Sequence, residues 1–96
     1  MTVRTTKQAD QDIADLFVQG VHRFGLHQAE RYENGLFDML RALDANPLMA
    51  RVRQEFRPPV RIHPYGSHVI VYVADDDGIF IVRVLHGRQD WDRALS

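Results

Sequence analysis

The residues best suited to chemistry lie in the last third of the chain, where two apolar segments end in charged and imidazole side chains. The stretch "IVRVLHGRQDW" supplies Arg83, His86 and Arg88, and the earlier stretch "VRIH" supplies Arg61 and His63. Arginine offers planar donors to phosphate and carboxylate oxygens, and histidine exchanges protons near neutral pH. Alternation along strands is expected to bring Arg61, His63 and Arg83 to one face. They could hold a scissile phosphate, dock a macromolecule, or form only an ion-paired rim.

Metal and thiol chemistry are not indicated. The chain has no cysteine, which excludes disulfides, thiol nucleophiles and thiolate ligands. His63 and His68 flank the turn "PYGS" and are expected to stand opposite each other, but two imidazoles without a third ligand make a poor zinc site. The acidic run "ADDDG" is typical of a hairpin turn and is too short for a calcium loop. No metal and no cofactor are therefore predicted.

Length and charge restrict the class of protein. The 96 residues predict one domain spanning residues 1–96, since a chain of this length builds one modest core. With 12 Lys and Arg against 13 Asp and Glu, the net charge of −1 gives no general attraction to nucleic acid or membrane. No apolar run approaches about 18 residues, and no signal peptide is evident. We expect a cytoplasmic protein without a membrane partner and without direct sequence-specific nucleic-acid binding.

The first half of the chain has the periodicity of two helices. A short strand is predicted within Thr2–Thr5, followed by Thr6 as an N-cap. Apolar residues then recur at helical spacing until Gly25, and a second such stripe runs to the "DANP" stretch, where Pro47 stops it. Helices joined so closely are expected to form an antiparallel hairpin.

The second half predicts a connector and a sheet. The stretch "LMARVRQEFRPPV" is interpreted as a traversing loop with one helical turn around Met49–Val52. Three strands, Val60–His63, His68–Val73 and Ile79–Leu85, then form an antiparallel meander. Strict alternation places Phe80, Val82 and Val84 on one face of the last strand, and Ile79, Ile81, Arg83 and Leu85 on the other. The fold class is α+β: an N-terminal strand and a helical hairpin packed on a mainly antiparallel sheet.

Both faces of this meander are apolar, although one helical hairpin covers only one face. Two explanations remain open for the second face. Either the N-terminal strand, the proline-containing loop and the C-terminal tail cover it, or a partner protein lies across it.

The order of these elements, with "QAERY" in the second helix, "DANP" after it, "GSHVIVY" in the middle strand and "IVRVLHGRQD" at the end, resembles the ParE toxins of the RelE/ParE superfamily. The resemblance covers nearly the whole chain. It implies the toxin of a type II toxin–antitoxin module, which is not an enzyme, inhibits DNA gyrase, and is neutralised by a ParD-like antitoxin in a hetero-oligomeric complex.

Two sets of residues are predicted to meet these partners. The expected target-binding residues are Arg61, Arg83, His86, Arg88, Asp90 and Trp91. The expected antitoxin-binding residues are Leu16, Phe17, Val21, Phe24, Ile79, Ile81 and Leu85. For the tail "HGRQDWDRALS" a second interpretation stays open, in which Trp91 packs on the domain beside Leu95.

The alternative function is a ribosome-dependent messenger ribonuclease of the RelE type, in which Arg61, Arg83 and His86 would be catalytic. Members of that type carry a catalytic Tyr, Lys or His near the C-terminus. The tail here has neither tyrosine nor lysine, and tryptophan does not serve as a general acid or base at pH 7. No catalytic residue is therefore predicted for the main function.

Overall fold

The computed structural model describes residues 3–95, which form a five-stranded sheet and a helical hairpin. In chain order the elements are β1 (Arg4–Thr5), α1 (Lys7–Phe24), α2 (Leu26–Ala45), β2 (Val52–Arg53), β3 (Val60–Tyr65), β4 (His68–Asp75), β5 (Gly78–His86) and α3 (Trp91–Ala94). The strand order is β1-β5-β4-β3-β2, with β1 parallel to β5 and the other neighbours antiparallel. The predicted α+β fold with a C-terminal meander is confirmed.

A single glycine joins the two long helices. Thr6 caps α1, because its hydroxyl accepts a hydrogen bond from the backbone N–H of Ala9 at 2.9 Å. Gly25 lies between α1 and α2 with φ of 91°, a conformation that other residues rarely adopt. Its N–H donates to the carbonyl of Val21, and its own carbonyl accepts from the N–H of Ala29. Both predicted helix boundaries and the tight antiparallel hairpin are confirmed.

The connector after α2 contains a short strand in place of the predicted helical turn. Val52 pairs with Arg61 and Arg53 pairs with Val60, so β2 lies on the outer edge of β3. The turn predicted around Met49–Val52 is wrong, because strand pairing gives that edge hydrogen-bond partners that a helical turn would not supply.

The outer edge of β5 is covered first by β1, then by Thr6, and then by the side chain of Asp12 from α1. Only the last two residues of the strand predicted over Thr2–Thr5 are observed as β1, and Thr2 lies outside the described residues. Beyond β1, the N–H of Thr6 donates to the carbonyl of Ile81 at 3.0 Å, and its hydroxyl donates to the carbonyl of Val82 at 2.7 Å. The same residue therefore caps a helix and extends a sheet edge.

A β-bulge in β5 changes which residues face the helices. Val71 of β4 pairs with Arg83, but the next residue, Tyr72, pairs with Ile81, so Val82 is the extra residue on β5. The core beneath the helices contains Ile79, Ile81 and Val84, whereas Val82 and Leu85 pack on the opposite face. The two faces predicted for the last strand are therefore wrong, because strict alternation does not survive an inserted residue.

Both faces of the sheet are covered by the chain itself. On the helix side, the core includes Leu36, Leu40, Leu43, Ile70, Tyr72 and Ile79. On the other side, Phe56 of the connector and the tail residues Trp91, Ala94 and Leu95 pack over β3, β4 and β5. Of the two explanations for the second face, coverage by the loop and the tail is the one observed, while the N-terminal strand lies at the sheet edge.

Candidate functional site

Arg83 is held by α1 and by the tail. Its Nε and Nη2 donate to the two carboxylate oxygens of Asp12 at 2.8 and 3.0 Å, and its Nη1 donates to the carbonyl of Ala94 at 3.4 Å. The side chains of Arg83 and Asp12 are 16% and 14% exposed, and hydrogen bonding to Asp12 raises the pKa of Arg83. The ion-paired alternative is observed for this arginine, and three of its five donors are already used.

Arg61 lies on the other face of the sheet. It pairs with Tyr72, which belongs to the core beneath the helices, whereas Arg83 pairs with Val71 of the opposite core. The guanidinium of Arg61 donates to the carbonyl of Ala50 at 2.5 Å. The prediction that Arg61 and Arg83 share a face is wrong, because the bulge in β5 reverses the orientation of residues that follow it.

The three residues proposed for a nuclease are not brought together. His86 pairs with His68 at the start of β4, in the same row as Tyr65 of β3. Arg61 lies four residues from Tyr65 along β3, which corresponds to about 13 Å at the rise of a strand. Together with the different face of Arg83, this separation leaves no common point for a scissile phosphate.

The row that contains His86 continues into a group of rings at one end of the sheet. The imidazoles of His68 and His86 are 5.4 Å apart between centroids and meet edge to face. The backbone N–H of Arg88 donates to Nδ1 of His86 at 3.1 Å, so the proton of the neutral His86 ring lies on Nε2. Burial, and then the charge of His86, hold the pKa of His68 below its ordinary value of 6.5.

Tyr32 of α2 docks the helical hairpin onto the β3–β4 turn. Its hydroxyl lies 2.8 Å from Nδ1 of His68 and 3.0 Å from the carbonyl of Tyr65, and it accepts the N–H of Ser67 at 3.1 Å. The hydroxyl of Tyr65 in turn donates to the carbonyl of Tyr32 at 2.9 Å. A Cβ at Gly66, where φ is 55°, would come within 2.5 Å of the Tyr32 hydroxyl. Burial raises the pKa of Tyr32.

A groove lies between this end of the sheet and the helical hairpin, and its volume is about 730 Å³. The side chains and backbone that line it belong to Leu16, Gln19, Gly20, Arg23, Phe24, Gln28, Ala29, Tyr32, Ser67, His68, His86, Gly87 and Arg88. No Asp or Glu in the described part of the chain is among them. The groove thus unites members of both predicted surfaces, His86 and Arg88 with Leu16 and Phe24.

The remaining residues predicted to bind the antitoxin divide by burial. Ile79 and Ile81 are 0% exposed and Leu85 is 1% exposed, so they belong to the two cores and have no surface to offer a partner. Their assignment to a docking surface is corrected for that reason. Leu16 is also buried in the core, Phe17 and Val21 are half-buried, and Phe24 is 59% exposed.

The tail follows the packing alternative, because Trp91 and Leu95 pack on the domain, and Asp90 has a structural role as well. Trp91 packs on the second core, and the guanidinium of Arg53 lies 5.9 Å from the centre of its ring. Asp90 caps α3, because its carboxylate accepts the N–H of Arg93 at 3.3 Å. Of the predicted target-binding residues, only His86 and Arg88 line the groove.

The described chain offers no clustered metal ligands and no spanning helix. His63 pairs with Ile70 and His68 pairs with Tyr65, so the two histidines do not stand opposite each other as expected. Within residues 3–95, no group of three or more His, Cys, Asp or Glu is placed to hold a metal ion. None of the described helices has both the length and the apolar character needed to cross a membrane.

Among the groove residues that were not predicted as site residues are Arg23, Tyr32 and His68. Tyr32 was visible only as part of "QAERY", where its spacing is that of a core residue. The sequence did contain a signal for His68, which lies two residues after Gly66. A hairpin turn at that glycine places His68 opposite Tyr65, and the middle strand of the meander brings it beside the last strand. Arg23 is the penultimate residue of α1 and gave no signal beyond the basic end of a helix.

Comparison with known proteins identifies the family. Residues 3–91 match the family described as "ParE toxin of type II toxin-antitoxin system, parDE". The chain therefore belongs to the ParE toxins of type II toxin–antitoxin systems, and the predicted recognition and toxin function are confirmed at this level.

Individual relatives agree with this assignment. Proteins named "Toxin ParE1" from two strains of Mycobacterium tuberculosis are each 42% identical over 74 residues, covering 76% of this chain and 76% of the relative. A solved structure described as "Chromosomal ParDE TA system from P. aeruginosa" has a TM-score of 0.76 and covers 90% of this chain and 95% of that chain. Because its sequence identity is 17%, this likeness shows the fold.

Proposed function

We propose that this ParE-family toxin blocks DNA gyrase by binding, without catalysing a reaction, and that a ParD-like antitoxin neutralises it in a hetero-oligomeric complex. Family membership supports the antitoxin partner, since the matched family is described by parDE systems, and gyrase is the target that the resemblance to ParE toxins implies. The related Pseudomonas structure is likewise described as a ParDE system.

The observation that carries the binding mechanism is the separation of Arg61, Arg83 and His86. Arg83 is engaged by Asp12 and Ala94, and Arg61 faces the other side of the sheet. A phosphoryl-transfer site needs its charged groups to converge on one reacting phosphate. Their dispersal favours a toxin that acts by docking over the ribonuclease alternative.

The target-binding surface in this proposal consists of His86 and Arg88 at the groove. The antitoxin-binding surface is the neighbouring apolar end of the helical hairpin, centred on Phe24, with Phe17 and Val21 beside it. Leu26, which follows the hairpin glycine, is 56% exposed and extends this apolar surface. The two surfaces meet at the groove, so an antitoxin that covers one would restrict access to the other.

The test uses the purified toxin with gyrase and, separately, with programmed ribosomes. We expect loss of ATP-dependent supercoiling, or accumulation of cleaved DNA, at toxin concentrations that leave ribosome-bound messenger intact. Arg88→Gln should weaken the effect on gyrase, while Arg51→Gln, an exposed change in the connector, should leave it unchanged. Messenger cleavage in register with codons, together with unaffected gyrase, would reject this proposal in favour of the ribonuclease.

A further inference from the structure

The β3–β4 turn holds the start of the tail in place. His86 is the last residue of β5 and pairs with His68, the first residue of β4. One residue further, the backbone N–H of Gly87 donates to the carbonyl of Ser67 at 2.8 Å, which extends the pairing past the ends of both strands. Arg88 follows directly. The position of the turn therefore determines where Arg88 leaves the sheet.

The segment around Arg88 is closed on itself. The N–H of Arg88 donates to Nδ1 of His86 at 3.1 Å, and the N–H of Gln89 donates to the carbonyl of His86 at 3.0 Å. These two hydrogen bonds fix Arg88 relative to His86, but they join the segment to no other element. The hydrogen bond between Gly87 and Ser67 makes that connection.

Tyr32 of α2 holds the same turn from the other side. Its hydroxyl accepts the N–H of Ser67 at 3.1 Å, and it also contacts the carbonyl of Tyr65 and Nδ1 of His68. A hydroxyl has one proton and two lone pairs. The carbonyl of Tyr65 can only accept, so it takes the proton, and Nδ1 of His68 then donates to the second lone pair. One oxygen atom of α2 thus binds three groups of the turn.

Two glycines permit the close contacts on either side of Ser67. A Cβ at Gly66 would lie 2.5 Å from the Tyr32 hydroxyl, and a Cβ at Gly87 would lie 3.2 Å from the carbonyl oxygen of Ser67. A side chain at either glycine would therefore push Tyr32 or the tail away from the turn.

We propose that Tyr32 is a positioning residue for Arg88. Tyr32 restrains Ser67 through the Ser67 N–H, and Ser67 restrains Gly87 through its carbonyl, so a side chain of α2 sets the place of a residue in the tail. This inference rests on the proposed function, which assigns His86 and Arg88 to the target surface. It adds a residue that supports that surface through two backbone hydrogen bonds.

The hydroxyl of Tyr32 is suited to positioning more than to folding. Ser67 is exposed and Tyr32 is half-buried, so water can replace the hydrogen bonds of the hydroxyl when it is removed. Water satisfies these groups but does not restrain the turn relative to α2. Arg88 would then have to be ordered when the target binds, which costs affinity.

The first experiment compares two variants that each lose one hydroxyl. Tyr32→Phe removes the restraint on Ser67. The matched control, Tyr65→Phe, removes the neighbouring hydroxyl, which donates to the carbonyl of Tyr32 at 2.9 Å and takes no part in the path through Ser67. We expect the N–H of Gly87 to exchange with solvent at least about threefold faster in Tyr32→Phe, as measured by NMR, and at the original rate in Tyr65→Phe.

The second experiment measures inhibition of gyrase supercoiling by the same full-length proteins. Tyr32→Phe should require about three- to tenfold more toxin for half inhibition, whereas Tyr65→Phe should match the unaltered toxin. Gly87→Ala should have a similar effect to Tyr32→Phe. Combining the two should be no worse than the more severe single change, because both act through Ser67. Similar melting temperatures would confirm that all variants are folded.

Three results would overturn the inference. They are unchanged exchange of the Gly87 N–H in Tyr32→Phe, equal effects of Tyr32→Phe and Tyr65→Phe, and faster exchange without weaker inhibition. If the unaltered toxin leaves gyrase active, the proposed target is rejected, and the exchange rates still decide whether Tyr32 positions the segment. The proposed function and the positioning role can therefore fail separately.

Discussion

Asp12 and Arg83 form a two-pronged ion pair that also completes the edge of β5. One carboxylate accepts both guanidinium hydrogen bonds and, through Oδ2, the backbone N–H of Val84 at 3.0 Å. Because Arg83 also reaches the carbonyl of Ala94, this pair links α1, the last long strand and the tail. The arginine that sequence reasoning placed at a target surface thus stabilises the fold.

Removing the charge of Asp12 tests this role. Asp12→Asn retains an oxygen for Val84 but leaves Arg83 without a counterion, so we expect the free energy of unfolding to fall by about 2–4 kcal/mol. Urea denaturation measures this loss. The matched control is Asp38→Asn in the exposed pair with Arg41, which should change stability by no more than about 0.5 kcal/mol. Equal effects of the two substitutions would contradict the special role of Asp12.

Asp44 supplies a second long-range link, between α2 and β5. It is buried, and its carboxylate accepts the backbone N–H of Ile79 at 3.2 Å. Asp44→Ala leaves that N–H without its acceptor and is expected to lower the free energy of unfolding by about 1–3 kcal/mol. Asp44→Asn keeps an acceptor oxygen and should lose less. If chemical denaturation ranks the two variants the other way, the hydrogen bond is not the source of the stability.

The tail should behave as part of the second core. Trp91→Ala removes ring contacts with that core and should lower the free energy of unfolding. We expect the loss to be smaller than the loss of about 3–5 kcal/mol that is typical when a fully buried tryptophan is replaced by alanine. Trp91→Phe should be milder, since Nε1 of Trp91 has no hydrogen-bond partner among residues 3–95. Thermal unfolding compares them.

Deleting everything after His86 separates packing from target contact. The deletion uncovers the second core and should lower the melting temperature strongly, whereas Arg88→Ala should leave it nearly unchanged and still reduce growth inhibition. A truncated chain that melts like the full-length protein would show that the tail does not support the fold.

The lowered pKa of His68 predicts that the free energy of unfolding depends on pH. Its pKa in the folded chain lies below the ordinary value of 6.5, so the unfolded chain binds more protons in this range. Its contribution to stability is therefore present above pH 6.5 and is lost as the pH falls through the lowered folded pKa. Denaturation at several pH values should show this decline, and His68→Gln should reduce it. NMR titration of the imidazole provides a direct check, and a pKa above 6.5 would contradict the prediction.

Local patterns explain what the sequence could predict. The cap at Thr6, the hairpin at Gly25 and the stop before Pro47 depend on nearby residues, and all three are observed. The apolar pattern also predicted the three meander strands. Side chains on both faces of these strands are buried in the two cores, so each strand is an almost continuous apolar run.

Long-range pairings explain what it could not predict. The bulge at Val82 depends on how β4 and β5 align, and a valine at this position does not by itself indicate a bulge. Asp12 and Arg83 are 71 positions apart, so neither reveals its partner. The bulge alone separates Arg61 from Arg83 and removes the most attractive catalytic cluster. The sequence indicated two groove residues, His86 and Phe24, but the groove also depends on the long-range docking of Tyr32 against Tyr65 and His68.

Parallel pairing of β1 with β5 also determines the stage of synthesis at which the toxin can complete its fold. Thr6 and Val82 are hydrogen-bonded across 76 positions, so the first strand cannot pair until β5 has left the ribosome. Bringing such distant residues together costs chain entropy. This cost is offset only when the intervening helical hairpin and meander form their own contacts. Prematurely terminated chains that lack β5 therefore have no strand to join β1 to β4, and they cannot assemble the groove. A cell that makes this protein is therefore exposed to a competent toxin only after β5 has been synthesised.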